Sequence, residues 1–239
     1  MKNTSLLQRI TEKERQYVLE VLDTDFRSSK GSLMMTRLEQ AFAKKYGVKY
    51  AISHVNGTST LHSAVAAAGV GPGDEVIVPP LTMSSTTFAI LQNNAVPVFC
   101  DVDEETFNLD PAKLEACITD KTKAIMPVSL YGLPCDSKAI NAIAKKHGLI
   151  VIEDNAECFG GKVDGRYAGT QSPMASYSFQ SSKHLTSGEG GMVITNDEAL
   201  AVHLRRFSCL GYAGVGAGKG KITREEIQDP EYNRHCAMG

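Results

Sequence analysis

The sequence predicts an α/β protein built on one wide, mostly parallel sheet. Short apolar runs rich in Val and Ile alternate along the chain with segments whose apolar residues recur at helical spacing, which is typical of strands joined by crossover helices. Glycine follows several of the helical segments, where it favours a helix end. With 239 residues, of which 42% are hydrophobic, the chain is long enough to bury a substantial core.

The individual elements follow from these patterns. Seven predicted strands fit one sheet: residues 50–53, 75–79, 96–99, 124–128, 149–153, 175–179 and 192–195. Predicted helices lie at residues 34–46, 58–68, 84–93, 111–117 and 136–147. In the first of these, Leu38, Phe42 and Tyr46 share one face before Gly47 ends the helix. The glycine-rich stretch 211–221 is predicted to be a loop.

Charge and composition favour a small-molecule partner. The formal charge is -2 and charged residues are scattered singly, so the sequence predicts binding to neither nucleic acid nor a membrane surface. No run approaches the roughly 18 apolar residues of a membrane span, and the polar start is unlike a signal peptide, so we expect a cytoplasmic protein. The six cysteines form no CxxC pair and are expected to be reduced.

Polar residues follow the first predicted strand at the edge where ligands of parallel sheets bind. Gly57 would let the backbone pass close to a ligand, and the amides and hydroxyls of Thr58 and Ser59 would hold a phosphate at a helix N-terminus. The alternative is an ordinary helix cap formed by Asn56 or Thr58. The sequence therefore indicates a phosphate site here without excluding the cap.

Asp154 stands at the end of the predicted strand 149–153. A carboxylate in that position can pair with a protonated ring nitrogen deep in a cleft. The alternatives are a helix cap or a metal ligand. No cluster of His or Cys at ligand spacing accompanies Asp154, so we predict no metal.

Lys183 lies in a polar turn between two predicted buried strands, followed by a run of glycines that doubles the chain back. A lysine in such a turn can be desolvated, which suits Schiff-base chemistry. A phosphate-binding or surface lysine is the alternative.

Five motifs together resemble one family. They are NGTSTLH at 56–62, GDEVIVP at 73–79, LYG at 130–132, EDNAE at 153–157, and SF, K and GEGG between 178 and 191. In this order the motifs resemble those of the pyridoxal-phosphate-dependent DegT/DnrJ/EryC1/StrS sugar aminotransferases. The resemblance extends over residues 26–239.

The resemblance implies a fold-type I, aspartate-aminotransferase-like large domain over residues 26–210. An N-terminal helical segment, 1–25, would precede it. A glycine-rich loop and the start of a truncated C-terminal region would follow at 211–239, with the small C-terminal domain missing. We expect such a chain to be an incomplete enzyme that binds cofactor weakly, and a longer chain to recover binding and activity.

The resemblance also implies the site residues. Lys183 would carry the cofactor, Asp154 would pair with its ring nitrogen, and both are the catalytic candidates. Met83 stands where relatives usually have a stacking aromatic residue, and Glu157 where they usually have Gln near the ring hydroxyl. The full predicted cofactor-binding set is Gly57, Thr58, Ser59, Met83, Asp154, Glu157, Ser178 and Lys183.

The implied reaction is transfer of an amino group from an amino acid, glutamate, to a keto sugar linked to a nucleotide, in a homodimer with shared active sites when full length. Dehydratase relatives have His in place of the lysine, so Lys183 favours transamination. A cyclitol aminotransferase and a non-catalytic regulatory or binding protein remain alternatives. A dinucleotide oxidoreductase is disfavoured because no GxGxxG follows the first strand.

Overall fold

The computed structural model describes residues 10–24, 33–211 and 216–217. Its main sheet has seven strands in the order β1-β9-β8-β5-β4-β2-β3. Strand β9 is antiparallel to both of its neighbours, and the other adjacent pairs are parallel, which confirms the predicted fold class. The strands of this sheet are β1 (Tyr50–His54), β2 (Glu75–Val78), β3 (Val96–Phe99), β4 (Thr122–Ile125), β5 (Ile150–Asp154), β8 (Met174–Ser178) and β9 (Gly191–Thr195). A separate hairpin consists of β6 (Lys162–Val163) and β7 (Arg166–Tyr167).

The helices follow the strands in a largely alternating order. They are α1 (Glu12–Leu22), α2 (Met34–Tyr46), α3 (Gly57–Ala67), α4 (Ser85–Leu91), α5 (Pro111–Leu114), α6 (Ser137–His147) and α7 (Glu198–Ser208), with short 3-10 turns at Glu115–Cys117 and Leu130–Gly132. Within the described ranges, no helix is both long enough and apolar enough to cross a membrane.

The seven predicted strands and five predicted helices are all present. Helix α2 and strand β3 have their predicted bounds, and the other elements begin or end up to three residues away. Strand β4 departs most from its prediction of 124–128, because beyond Ile125 the ladder reduces to an isolated bridge between Val128 and Asp154. Helix α7 and the hairpin of β6 and β7 are additions that the sequence patterns did not predict. Of the predicted glycine-rich loop, only Gly211, Gly216 and Ala217 belong to the described residues, and residues 218–239 lie outside them.

Alternate residues of the central strands belong to hydrophobic cores on opposite faces of the sheet. Val76 and Val78 pack with residues of α3, α4 and α7, whereas Ile77 between them packs with residues of α5 and α6. A third cluster joins the aromatic side chains Phe42 of α2 and Tyr177 of β8. Helices therefore cover both faces of the sheet.

The five cysteines in the described part of the chain are free thiols.

A buried ion pair ties α2, β1 and α7 together. The guanidinium of Arg205 donates to both carboxylate oxygens of Glu39, at 2.7 and 2.6 Å. Glu39 also accepts from the amide and hydroxyl of Ser53, at 2.8 and 2.7 Å. The two charged side chains are only 5% and 12% exposed, so each needs the other as a counter-charge.

Replacement of Arg205 by Met should therefore be strongly destabilising. The change strands the Glu39 carboxylate in the interior, and we expect the free energy of unfolding to fall by about 3–5 kcal/mol. Urea unfolding of the 239-residue chain measures it. The control is Arg37→Met, which removes the exposed ion pair with Glu20 and should have a far smaller effect. Equal losses from the two variants would contradict the assigned role.

Candidate active site

A cleft opens where several strands of the sheet end. Strands β1, β5 and β8 finish at this edge, and antiparallel β9 begins there, with Gly191 paired to both His54 and Ser178. The cleft has a volume of about 530 Å³. It is lined by Asn56, Gly57, Thr58, Leu61, Thr82, Met83, Ser84, Ser85, Phe88, Gln92, Val128, Leu130, Asp154, Ala156, Glu157, Ser178, Gln180, Ser182, Lys183 and Glu189. All the predicted site residues except Ser59 are among them.

The N-terminus of α3 forms one wall of the cleft. The first amides of a helix have no acceptor within the helix, so those of Gly57 and Thr58 are available to a ligand. A β-carbon on Gly57 would come within 2.8 Å of the Ser178 Cβ atom. Glycine is therefore required here because α3 packs against the end of β8, whereas the sequence had suggested that it makes room for a ligand.

Ser59 has a capping role that the phosphate prediction did not include. Its amide donates to Asn56 Oδ1 at 2.8 Å and its hydroxyl donates to the Asn56 carbonyl at 2.8 Å. The Asn56 amide donates back to the Ser59 hydroxyl, completing a capping box. These contacts engage the amide and hydroxyl of Ser59 in the helix cap, and its contact with a phosphate stays a prediction.

Asp154 is the last residue of β5, at the middle of the sheet, and its side chain lies at the floor of the cleft. The residue is 3% exposed, and its Oδ1 atom accepts from the Ala156 amide at 3.0 Å. Burial raises the pKa of Asp154 to about 6, against the opposing effects of that hydrogen bond and the nearby charge of Lys183. A cation entering the cleft would therefore find a carboxylate that lacks adequate solvation.

Lys183 reaches the same cleft from the loop between β8 and β9. Its ammonium lies 3.3 Å from Glu157 Oε1, and the side chain is 19% exposed. The sequence had predicted a desolvated lysine in this turn, and the structure places the side chain partly buried at the cleft. The other carboxylate oxygen, Glu157 Oε2, accepts from the Tyr131 amide at 2.9 Å.

The loop that carries Lys183 is held by its own hydrogen bonds. Phe179 donates its amide to Gly190 at 2.8 Å, and its carbonyl accepts from the Ser187 amide at 3.0 Å. Gly190 has a φ of 158°, which residues with a side chain rarely adopt, and a β-carbon there would lie 3.2 Å from the Phe179 ring, so the doubling back of the chain depends on glycine at that position. The lysine therefore projects from a closed loop that is fixed at both ends.

The sequence prediction missed several residues of the cleft. Gln180 and Ser182 lie within the motif around Lys183, and the side-chain oxygen Oε1 of Gln180 accepts from both the amide and the hydroxyl of Ser182. Ser85, Phe88 and Gln92 lie three and four residues apart at α4, and this helical spacing is the signal that could have placed them on one wall.

The cleft has no arrangement typical of a metal centre. In the part of the chain that the structure describes, no group of at least three His, Cys, Asp or Glu side chains is placed to hold a metal ion.

Comparison with known proteins places these features in a family. The model of the DegT/DnrJ/EryC1/StrS aminotransferase family matches residues 8–229. The chain belongs to this family. Its fold agrees with that assignment: the X-ray structure of the aminotransferase from Psychrobacter cryohalolentis superimposes with a TM-score of 0.83 at 36% identity, covering 96% of this chain and 57% of that one.

The curated relatives include proteins named for a nucleotide-linked sugar and for a cyclitol. GDP-perosamine synthase of Caulobacter vibrioides is 50% identical over 197 residues, which cover 82% of this chain and 53% of the relative. L-glutamine:2-deoxy-scyllo-inosose aminotransferase of Streptomyces lividus is 42% identical over 202 residues, 84% of this chain and 48% of the relative. The chain thus spans about half the length of these family members.

The family implies pyridoxal phosphate as cofactor, and the donor set of the cleft fits it. The helix N-terminus with the hydroxyls of Thr58 and Ser178 suits a phosphate dianion. The buried, poorly solvated Asp154 suits a protonated ring nitrogen. Lys183 supplies a primary amine for an aldehyde at the same cleft.

Because burial raises the pKa of Asp154, we expect its replacement by Asn to stabilise the folded chain, and to do so more strongly at higher pH. Because folding raises the pKa of Asp154 from near 4 to about 6, ionisation penalises the folded cofactor-free chain increasingly as the pH rises through this range. Asn keeps an oxygen for the Ala156 amide without the charge. We expect Asp154→Asn to raise the free energy of unfolding by about 3 kcal/mol at pH 7 and by about 1 kcal/mol at pH 4.5.

Urea unfolding of the cofactor-free chain at the two pH values measures this gain. The control is Asp136→Asn at the exposed cap of α6, where Asn is an equally good cap residue and no such pH-dependent gain is expected. A loss of stability at pH 7 in Asp154→Asn would show that the carboxylate is adequately solvated.

Proposed function

We propose that this chain is the cofactor-binding part of a pyridoxal-phosphate-dependent aminotransferase. In the proposed reaction an amino group passes from an amino acid, glutamate, to a keto sugar carried on a nucleotide. The observation that carries the proposal is that one cleft brings together a partly buried lysine, Lys183, and a buried carboxylate of raised pKa, Asp154. Perturbed titratable groups that converge in a cleft favour a catalytic role.

Bound pyridoxal phosphate supplies an electron sink that stabilises the negative charge left on a substrate carbon after loss of a proton. The N-terminus of α3, with the hydroxyls of Thr58 and Ser178, would hold the phosphate group. Gly57 contributes its amide and lets α3 approach Ser178. Together these groups would fix one end of the cofactor.

Asp154 would hold the proton on the ring nitrogen. Its burial strengthens an ionic contact with a cationic nitrogen, because little water competes for the carboxylate. Met83, which is 70% exposed on its own, would be covered as it packs over the ring face. Glu157 would lie beside the ring hydroxyl, with Tyr131 as its fixed hydrogen-bond donor.

Lys183 would have two tasks. It would first carry the cofactor through its Nζ atom. Once released, the neutral amine would remove the proton from the substrate carbon that bears the amino group, and would return a proton in the second half of the reaction. Its position on a closed loop supports both tasks, since the amine starts from a fixed point at the cleft.

The acceptor is proposed on the basis of the relatives. The 50% identity with a protein named GDP-perosamine synthase favours a nucleotide-linked sugar. A cyclitol is the second candidate, favoured by the 42% identity with a protein named for a scyllo-inosose acceptor.

We further propose a cytoplasmic homodimer. The exposed apolar side chains Phe88 and Leu91 on α4, beside the cleft, are consistent with burial in such a dimer.

The first prediction concerns the lysine. After incubation with pyridoxal phosphate and reduction with borohydride, peptide mapping should find the phosphopyridoxyl group on Lys183, because it is the lysine that lines the cleft. Lys183→Arg keeps the positive charge and should abolish the label. Lys162→Arg, on the exposed hairpin, is the control and should retain it. Labelling of other lysines alone would refute the assignment, and no labelling at all would favour a binding protein without this chemistry.

The second prediction concerns the acceptor. With the protein in excess and glutamate labelled with ¹⁵N, mass spectrometry should find ¹⁵N in a product formed from a nucleotide-linked keto sugar, because the proposed chemistry transfers the donor nitrogen to that carbonyl carbon. The panel contains GDP- and UDP-linked keto sugars and a free keto cyclitol, with Lys183→Arg as the inactive control. Labelling of the cyclitol alone would establish the second candidate instead.

A further inference from the structure

Glu157 connects two loops of the cleft through its two carboxylate oxygens. Oε1 lies 3.3 Å from the Lys183 ammonium, and Oε2 accepts from the Tyr131 amide at 2.9 Å. The Glu157 side chain is 31% exposed and the Lys183 side chain 19% exposed. The carboxylate is thus shared between the loop that carries the lysine and the turn after β4.

The Tyr131 end of this contact fixes the position of the carboxylate. Tyr131 has a φ of 53°, a left-handed conformation that non-glycine residues rarely adopt. Its amide donates to Glu157 Oε2, and the turn that contains it is closed by a hydrogen bond of 3.0 Å from the Leu133 amide to the Leu130 carbonyl. Because one oxygen is anchored to the backbone, Glu157 presents the other to Lys183 in a set place.

The charges around Lys183 make this contact consequential. Among the described residues that line the cleft, Lys183 is the one basic side chain, and the acidic side chains Asp154, Glu157 and Glu189 line the same cleft. Asp154 acts on Lys183 through the electrostatic field, whereas Glu157 is in contact with it. Of these three carboxylates, the one in direct contact with the Lys183 ammonium is therefore that of Glu157.

We propose that Glu157 is a positioning residue that restrains Lys183 as an ammonium ion until the cofactor is captured. The proposal rests on the function proposed above for Lys183. For capture, the ammonium must first lose one proton to solvent. The neutral nitrogen then bonds to the aldehyde carbon of pyridoxal phosphate, and the carbonyl oxygen leaves as water with the two remaining nitrogen hydrogens. Glu157 holds the charged form, which cannot react, so its contact with the ammonium slows capture.

Two substitutions separate the charge of Glu157 from its hydrogen bond. Glu157→Gln removes the charge but keeps an oxygen that can accept from the Tyr131 amide. Glu157→Ala removes both. The matched control is Glu115→Gln, which neutralises a carboxylate that pairs with Lys146 and His147 outside the cleft.

The direct test is the reactivity of Lys183 towards acetic anhydride in the cofactor-free chain, followed from pH 6 to pH 10 by peptide mass spectrometry. We expect Glu157→Gln to react about five-fold faster at Lys183 near pH 8, in keeping with a modest, partly screened ion pair. Capture of pyridoxal phosphate, trapped with borohydride, should accelerate by a similar factor. Glu115→Gln should match the parent at Lys183, and Glu157→Ala should add a lower unfolding temperature to the faster reaction.

A second measurement varies the salt concentration. Raising the salt concentration of the parent from about 0.05 to about 0.5 M should increase the labelling of Lys183, because salt screens a partly exposed ion pair. The same change should leave Glu157→Gln much less affected. A parent insensitive to salt, or a Glu157→Gln profile that coincides with the parent, would overturn the proposal. Faster acetylation together with a borohydride label on another lysine would overturn the proposed function itself, and with it the role of Glu157 in capture.

Discussion

The burial of a carboxylate at the end of a central strand is the constraint on which the rest of this site depends. Strand β5 lies between β4 and β8, so a side chain at its carboxyl end has protein on both sides. Asp154 occupies that end, and burial raises its pKa to about 6. A charge so poorly solvated is stable only beside positive charge or a bound cation. The Lys183 ammonium supplies part of the positive charge that Asp154 requires, but the Glu157 carboxylate also binds this ammonium. The cleft therefore favours a ligand that places a positively charged group beside Asp154.

The sheet topology explains how the other components reach this carboxylate. Because β9 runs against β1 and β8, it begins at the edge where they end, and the loop carrying Lys183 must double back over Asp154. The close approach needs small residues. A β-carbon on Gly191 would lie 2.7 Å from the Asn56 carbonyl, and one on Gly57 would meet Ser178. These contacts bring the N-terminus of α3 against β8 and β9, and a buried hydrogen bond of 2.6 Å between the hydroxyls of Thr60 and Ser176 strengthens the same junction.

The sequence predicted the sheet and most of the cleft because both follow from local patterns. Apolar strand runs and glycine helix ends are local, so α2 was predicted at its observed bounds. Ser59 shows what a motif leaves undetermined, since either a cap or a phosphate can use the same hydroxyl. The structure shows this hydroxyl in contact with Asn56, and the phosphate contact stays a prediction. Tyr131, whose amide binds the Glu157 carboxylate, lies 26 residues earlier in the chain. The geometry of this contact depends on tertiary packing, which a local sequence pattern does not contain. Helix α7 was missed although Asp197 caps it and its apolar residues Ala201 and Leu204 are fully buried.

The most direct test of this account is the titration of the Asp154 carboxyl group itself. In the chain labelled with ¹³C at Asp carboxyl carbons, the resonance that disappears in Asp154→Asn can be followed by NMR with and without pyridoxal phosphate. The account predicts a midpoint near pH 6 in the cofactor-free chain, and a clear fall of that midpoint when the cofactor is bound, because a cationic ring nitrogen stabilises the carboxylate. A midpoint near 4 without cofactor, or one that the cofactor leaves unchanged, would contradict it.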